Sequence, residues 1–318
     1  MRRILSREFV DRVAKENNFQ RDNTEKVMRL CDILEFLNTD KFCKDKFALK
    51  GGTAINLLFT DMPRLSVDID LDFAENLTKE ETQSFRDNFR EVFMKYLTNA
   101  NYRLAERQRS SYVLESYRIS YIATNGNQDK IEVEINYGDR SHILSLPKIT
   151  SNTKLSANEF EILTLDKIEL YASKINALLS RATPRDLYDV NCMLENKIIK
   201  TADYELLRKC LVFYNMVGGE QDIDDLDLEN IENIADRDFR NLLKPVLKNN
   251  DKFNLETAQE NVIKFIRNIV ALTDKEKEFI LHFKKQEYKP ELLFSSNEIL
   301  GRIQNHPMAL WRCKKENK

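Results

Sequence analysis

The sequence predicts an α/β protein, with a mixed sheet and flanking helices in the N-terminal part and a largely α-helical C-terminal lobe. Residues 65–73 alternate apolar with polar side chains, the period of a strand with one buried face. Residues 111–137 return to that period on both sides of the turn-forming cluster Asn125-Gly126-Asn127. After Asp166, apolar residues recur at helical spacing. We therefore expect two lobes, residues 1–150 and residues 151–318.

Composition and charge restrict the class of protein. Charged residues make up 32% of the 318, with only 7 glycines and 6 prolines, which is typical of a folded, helix-rich chain. No apolar run is long enough to span a membrane and no signal peptide is evident, so we expect a cytoplasmic protein with no membrane partner. The net charge of −2 predicts no global attraction to nucleic acid, so any such site must be a local patch.

The cysteines and histidines argue against several chemistries. Five cysteines are scattered without a Cys-x-x-Cys pair, which predicts reduced and mostly buried thiols rather than a zinc site or disulfides. The three histidines each lack a neighbouring candidate ligand. Histidine-dependent metal or triad chemistry is therefore not expected.

The N-terminal helices can be placed from their capping residues. Residues 6–37 predict two helices, with Ser6 and Asn23 as N-caps. Thr78 and Glu81 have the spacing of a capping box, which predicts the start of a long helix with an apolar face. We expect these helices to brace the sheet.

A glycine turn follows the first short strand. Residues 47–49 predict a buried strand that leads into Gly51-Gly52, and a short helix is expected to start at Thr53. Glycine lets backbone amides approach a phosphate closely, and a helix N-terminus would direct its positive end at the same anion. The turn therefore predicts a phosphate site.

The next strand carries aspartates on its polar face. Asp68, Asp70 and Asp72 must point the same way, and a fold that gathers like charges has usually gathered them for a cation. Oxygen-only ligation with few fixed ligands suits Mg²⁺, which shares its shell with substrate phosphates. The alternative is a solvated edge strand whose aspartates discourage aggregation. Asp72 is as well suited to a surface or supporting role, and Ser66 could contact a phosphate or a metal-bound water.

The hairpin offers a third carboxylate. On its second strand, the apolar residues face one way and the polar residues face the other, the latter being Glu132, Glu134 and Asn136.

A second group of charged residues lies on the helices after Asp166. Lys174 sits in an otherwise apolar turn, where it could bind phosphate or extend from a buried helix to solvent. Asp186 falls in the first turn of the next helix and suits its free amides, whereas Asp189 is not needed there and could hold Lys174 or Arg185 in place. Arg185, like Arg181, could contact phosphate or form an ordinary salt bridge.

Three sequence blocks together resemble a known family. A Gly-Gly turn, a short helix and an Asp-x-Asp strand are similar to the signature of DNA-polymerase-beta-like nucleotidyltransferases. The full set resembles the AbiEii-type toxins of type IV abortive-infection toxin–antitoxin systems, which include the MenT group. Its blocks are Gly51-Gly52-Thr53-Ala54, Arg64-x-Ser66-x-Asp68-x-Asp70, and Lys174 with Arg185-Asp186-Leu187-Tyr188-Asp189.

The resemblance implies a reaction and a biological output. It implies Mg²⁺-dependent transfer of a nucleotide from a nucleoside triphosphate to RNA, with the tRNA 3′ end as the leading acceptor. It also implies growth arrest relieved by a cognate antitoxin. The rival interpretations are a nucleotide-binding regulator without turnover, and transfer to a protein or a small molecule.

The resemblance also implies roles for individual residues. Asp68 and Asp70 hold the metal, and Glu134 is the third carboxylate by its Glu-Ile-Asn context, with Glu132 as the alternative. Lys174 and Asp189 are catalytic, so the helical lobe contributes to the nucleotide site. The remaining residues expected to bind the nucleotide are Gly51, Gly52, Thr53, Arg64, Ser66, Arg181 and Arg185.

Overall fold

The fold is α/β, as the sequence predicted. A computed structural model describes residues 5–105, 109–151, 153–218 and 222–315. The chain forms two compact units. The first comprises the N-terminal part through Arg140 together with Leu146–Thr164 and Val246–Asn250; the second comprises Ser141–Ser145, Leu165–Pro245 and the chain from Asp251 onward.

The first unit contains the main sheet. Within the described residues its strands are β1 (Phe47–Lys50), β2 (Asp68–Phe73), β3 (Arg103–Leu104), β4 (Arg109–Ser110), β5 (Leu114–Ile122) and β6 (Gln128–Asn136). Their order is β1-β2-β6-β5-β3, with β4 also paired to β5. β2 and β6 run parallel, whereas β1–β2 and β5–β6 are antiparallel, so the sheet is mixed. A separate ribbon joins β7 (Lys148–Ser151) to β8 (Phe160–Leu163).

Helices flank this sheet. They are α1 (Arg7–Glu16), α2 (Arg21–Thr39), α3 (Gly51–Ala54) with the π-helical turn Ile55–Phe59 that continues it, and α4 (Lys79–Asn99). Ser6 caps α1, and Thr78 forms the predicted capping box with Glu81.

Two predicted helix starts are wrong. α2 begins at Arg21 rather than after Asn23, because Gln20 takes the extended N-cap backbone and Arg21 forms a 2.8 Å ion pair with Asp11 of α1. α3 begins at Gly51 rather than Thr53, because Gly51 itself makes the change from strand to helix.

The two faces of the sheet differ as the alternation predicted. Ile131, Val133 and Ile135 of β6 are fully buried. Phe89 and Phe93 of α4 add a stack of rings to this core, with their centroids 5.2 Å apart. Burial of this apolar surface stabilises the face opposite the carboxylates, and so leaves the polar side chains on the other face.

The second unit is helical within its described residues. Its helices are α5 (Lys167–Arg181), α6 (Pro184–Glu195), α7 (Tyr204–Gly218), α8 (Glu229–Glu232), α9 (Asp236–Asp238), α10 (Leu255–Ile269), α11 (Asp274–Lys284), α12 (Asn297–Ile303) and α13 (Pro307–Lys315). Buried Glu169 of α5 accepts hydrogen bonds from the backbone amides of Ile143 and Leu144, at 3.0 and 2.9 Å. These helices confirm the prediction of a largely helical C-terminal lobe.

Two composition-based expectations concern thiols and membranes. All five cysteines are free and buried, as predicted. Over the described parts of the chain, no helix is both long enough and apolar enough to cross a bilayer.

Candidate active site

The glycine turn is built directly against the aspartate strand. Gly51 follows β1 with φ +69°, a left-handed backbone that L side chains rarely adopt. A Cβ at Gly51 would lie only 2.4 Å from Oδ2 of Asp70. Position 51 therefore requires glycine for two reasons, its backbone conformation and its contact with Asp70.

The second glycine lies against Arg64 and Ser66, which precede the aspartates of the motif. A Cβ at Gly52 would lie 2.7 Å from Nη2 of Arg64 and 3.0 Å from Oγ of Ser66. Arg64 is buried, and its Nη1 donates a 2.9 Å hydrogen bond to the Leu65 carbonyl. Arg64 and Ser66 thus both pack on the glycine turn.

A segment distant in sequence, at residues 246–247, bonds to the backbone of Arg64 and Leu65. The Leu65 amide donates a 2.8 Å hydrogen bond to the Val246 carbonyl, and Arg64 forms a β-bridge with Leu247. The 246–250 segment therefore belongs to the first unit, although most of its sequence neighbours belong to the second.

The short helix is tied to the aspartate strand by side chains. Buried Thr53 donates its hydroxyl hydrogen to the Asp68 carbonyl, and Asn56 donates a 2.9 Å hydrogen bond to the Gly52 carbonyl. These bonds fix the turn relative to β2. The nucleotide contact expected for Thr53 stays a prediction.

Parallel pairing of β2 and β6 aligns their acidic residues. Asp68 lies opposite Glu132, and Asp70 lies opposite Glu134. Residues opposite each other in a sheet present their side chains to the same face. Asp68 is exposed and Asp70 half-buried, so this carboxylate face is accessible.

The two glutamates lie beside different aspartates. Glu132 accepts a 3.0 Å hydrogen bond from the Ser116 hydroxyl and lies 3.8 Å from an Arg118 nitrogen. Glu134 occupies the position directly beside Asp70. The register thus places each of the two predicted candidates for the third carboxylate, Glu132 and Glu134, beside one aspartate of β2.

The donor chemistry fits an oxygen-preferring cation. Among the described residues, no group of three or more His, Cys, Asp or Glu side chains is arranged to hold a metal ion. A pair of carboxylates would suit Mg²⁺, which retains several waters and binds through one or two carboxylates plus substrate phosphates.

Asp72 faces a different partner. It is buried, and its Oδ1 lies 2.5 Å from Nζ of Lys50. Burial opposes the charge on Lys50, but Asp72, Asp139 and Asp70 together raise its pKa above the ordinary value. No role was predicted for Lys50, because its pairing with Asp72 depends on the alignment of β1 with β2.

In the second unit, Lys174 lies in a buried ion cluster. Its Nζ is 2.8 Å from Asp186 and 3.1 Å from Asp189, and all three side chains are buried. The ion pair between Asp189 and Lys174 is one of the two arrangements that the sequence suggested. The shorter pair with Asp186 was not predicted, because only its place in the first turn of α6 was considered.

Asp186 is held by further groups. Its Oδ2 accepts a 2.7 Å bond from Nε of Arg181, and its Oδ2 also accepts from the Thr183 hydroxyl at 2.7 Å. Burial disfavours its charge, but Lys174 and Arg181 outweigh burial and hold the Asp186 pKa well below its usual range. The carboxylate is therefore ionised at neutral pH.

Arg185 contacts the backbone of a different segment. Its Nε donates a 2.7 Å hydrogen bond to the Leu242 carbonyl. Arg181 is the more exposed of the two arginines that the sequence singled out.

The glycine turn, the Asp-x-Asp strand and the mixed sheet define the fold of a nucleotidyltransferase. A sequence model of the family described as "Nucleotidyl transferase AbiEii toxin, Type IV TA system" matches residues 33–262. The chain belongs to this family, and it is therefore a nucleotidyltransferase of the toxin family found in type IV toxin–antitoxin systems.

A solved structure shares the fold. The chain matches MenT4, a nucleotidyltransferase toxin from Mycobacterium tuberculosis, with a TM-score of 0.64 and 16% sequence identity. The match covers 95% of this chain and 99% of MenT4. No curated protein matched the sequence.

Proposed function

We propose that the protein transfers a nucleoside monophosphate from a nucleoside triphosphate to a hydroxyl group of RNA, with the tRNA 3′ end as the leading acceptor. The observation that carries this proposal is the contact between Gly51 and Asp70, which puts a backbone turn suited to phosphate against a carboxylate suited to a metal. Membership of the nucleotidyl transferase toxin family supports the reaction class.

Asp68 and Asp70 would hold Mg²⁺. When bound there, the ion would stabilise charge on the attacking and leaving oxygens. The accessible carboxylate face and the oxygen-only donor set support this assignment.

Glu134 is the proposed third carboxylate. It lies beside Asp70, the aspartate that contacts the glycine turn, whereas Glu132 lies beside Asp68. In the reaction, the acceptor oxygen bonds to the α-phosphorus, and the bond from that phosphorus to the bridging oxygen breaks. Pyrophosphate leaves, and Glu134 accepts the proton of the acceptor hydroxyl.

The glycine turn and its neighbours would bind the triphosphate. Backbone amides at Gly51, Gly52 and Thr53 can approach phosphate oxygens because no glycine side chain intervenes. The Arg64 guanidinium and the Ser66 hydroxyl pack on Gly52 and supply further donors.

Lys174 would neutralise charge that develops on the leaving pyrophosphate. Asp186 and Asp189 keep its ammonium in a fixed position, as their distances of 2.8 and 3.1 Å indicate. Arg181 and Arg185 are proposed as additional phosphate contacts, and the assignment of all these roles rests on the family motif.

The biological proposal is a cytoplasmic toxin that arrests growth until a cognate antitoxin relieves it. Transfer to an RNA acceptor that ribosomes require would deplete that acceptor. Expression of the wild-type chain without its antitoxin should stop growth, and expression of Asp70→Ala should not. Equal growth arrest by both chains would contradict this link between chemistry and toxicity.

The donor and acceptor can be identified in one experiment. The protein, total RNA and Mg²⁺ are incubated with each α-labelled nucleoside triphosphate in turn. We expect label in RNA with at least one triphosphate, and excision of the labelled band would identify the acceptor. Label in protein or in a small molecule would overturn the RNA proposal, and label nowhere would favour a nucleotide-binding regulator.

A further inference from the structure

The third aspartate of β2 has an internal counter-charge. Asp72 is 2% exposed, and its carboxylate lies 2.5 Å from Nζ of Lys50. Lys50 is the last residue of β1, and its cross-strand partner is Asp70 rather than Asp72. The lysine therefore leaves β1 beside Asp70 and reaches diagonally to Asp72.

Polar residues at the end of β6 and just after it lie next to this pair. Asn136 lies opposite Asp72 on β6, and its Nδ2 donates a 2.9 Å hydrogen bond to Asp139. Its Oδ1 accepts from the Gly138 amide at 2.7 Å, so the amide group is oriented from both ends. Asp72, Asp139 and Asp70 are the carboxylates that most strongly favour the charge on Lys50.

Lys50 therefore has Asp72 as its ion-pair partner, with Asp139 and Asp70 as further carboxylates within electrostatic reach. We infer that Lys50 is a positioning residue, and that its ion pair with Asp72 keeps the ammonium away from Asp70 so that Asp70 can bind a metal ion. The inference rests on the proposed metal-binding role of Asp68 and Asp70. It accounts for three aligned aspartates of which two serve the metal and the third restrains a lysine.

The inference predicts opposite effects for the two members of the pair. In Asp72→Asn, Lys50 loses its anionic partner and pairs with its cross-strand neighbour Asp70, where it competes with the metal, because Asp139 already accepts a hydrogen bond from Asn136. In Lys50→Met, the ammonium that could compete for Asp70 is removed, so metal affinity is not reduced. In the double variant, the competitor and its restraint are both absent, and metal affinity returns to that of the wild type. A merely structural pair would weaken metal binding in all three variants.

The test measures metal affinity directly, without turnover. Free Mn²⁺, used as a probe for Mg²⁺, is titrated into the full chain, and the unbound ion is quantified by electron paramagnetic resonance. We expect Asp72→Asn to weaken Mn²⁺ binding about tenfold, the lower end of the range for groups that orient metal ligands. Lys50→Met should bind at least as tightly as the wild type, and the double variant should lie within about twofold of it.

A matched ion pair provides the control. Lys46 and Glu75 are also 2.5 Å apart and flank the same two strands, but their side chains are 36% and 35% exposed. Glu75→Gln makes the same chemical change, from carboxylate to amide, away from the aspartates. It should leave Mn²⁺ affinity unchanged, and a thermal melt of each variant verifies that it is folded.

The outcomes separate this inference from the proposed function. Unchanged Mn²⁺ affinity in Asp72→Asn, or equal weakening in all three variants, would overturn the inference. Should Asp72→Asn fail to fold, Lys50→Met alone decides, because weakened binding there refutes the competition. Asp68→Asn with Asp70→Asn should abolish Mn²⁺ binding; if it does not, the proposed metal site is wrong and the inference fails with it.

Discussion

Replacement of Gly51 by alanine tests whether the glycine turn is built around Asp70. The new Cβ would lie 2.4 Å from Oδ2 of Asp70, whereas ordinary contacts begin near 3.4 Å. The Asp70 carboxylate must therefore move by about 1 Å, a displacement of reacting groups that costs on the order of 100-fold in rate. The left-handed backbone adds a folding cost of about 1–2 kcal/mol.

Gly126 supplies the matched control. It has φ +89°, and a Cβ there would meet no atom within 4 Å. Gly126→Ala should therefore carry the backbone cost of about 1–2 kcal/mol without any loss of transfer. The difference in activity between the two variants isolates the contact with Asp70 from backbone strain.

The assay combines urea unfolding with transfer of α-labelled nucleotide at saturating Mg²⁺. We expect both variants to lose a similar amount of stability, and Gly51→Ala alone to lose about 100-fold in kcat/KM. Equal transfer rates in folded Gly51→Ala and Gly126→Ala would refute the claim that the turn positions Asp70.

Three further predictions concern buried charges and the third carboxylate. Folding lowers the Asp186 pKa, so its charge stabilises the protein above pH ~4 and this stabilisation is lost as the pH falls further. The difference in unfolding free energy between the wild type and Asp186→Asn should therefore shrink as the pH falls below ~4. A difference that does not change with pH would contradict this prediction. Lys174→Ala leaves buried carboxylates without their ammonium and should lower the unfolding free energy by about 3–5 kcal/mol in denaturant titrations. Lys174→Arg should recover part of that loss. A loss below about 1 kcal/mol in Lys174→Ala would show that the carboxylates do not depend on Lys174 for their stability. Glu134→Gln should lower the single-turnover transfer rate about 100-fold or more, while Glu132→Gln has a much smaller effect, and the reverse order would make Glu132 the base.

Local patterns in the sequence predicted the elements that local forces determine. The alternation in residues 65–73 assigned the aspartates to one face, and that face is polar in the structure. The capping box at Thr78 was correct because both of its hydrogen bonds join residues three apart. The predicted start of α2 was wrong: the helix begins two residues before Asn23, where Arg21 forms an ion pair with Asp11 of the preceding helix.

Contacts between elements could not be predicted in this way. The pair of Lys50 and Asp72 depends on the register of β1 with β2, which no local pattern encodes. The pair of Lys174 and Asp186 depends on the left-handed turn at Ala182, with φ 45°, that reverses the chain between α5 and α6. Strand alternation and motif spacing identified the residues of the site, and tertiary packing decided their partners.

The central claim is that Asp68 and Asp70 support nucleotidyl transfer rather than nucleotide binding alone. The most direct test follows two labels in parallel, with triphosphate labelled at either the α- or the γ-phosphorus in the presence of RNA and Mg²⁺. We predict that the α-label enters RNA and that the γ-label appears only in pyrophosphate. Both signals should disappear in folded Asp68→Ala and Asp70→Ala variants. γ-label in the acceptor, or undiminished α-label transfer by either variant, would contradict the claim.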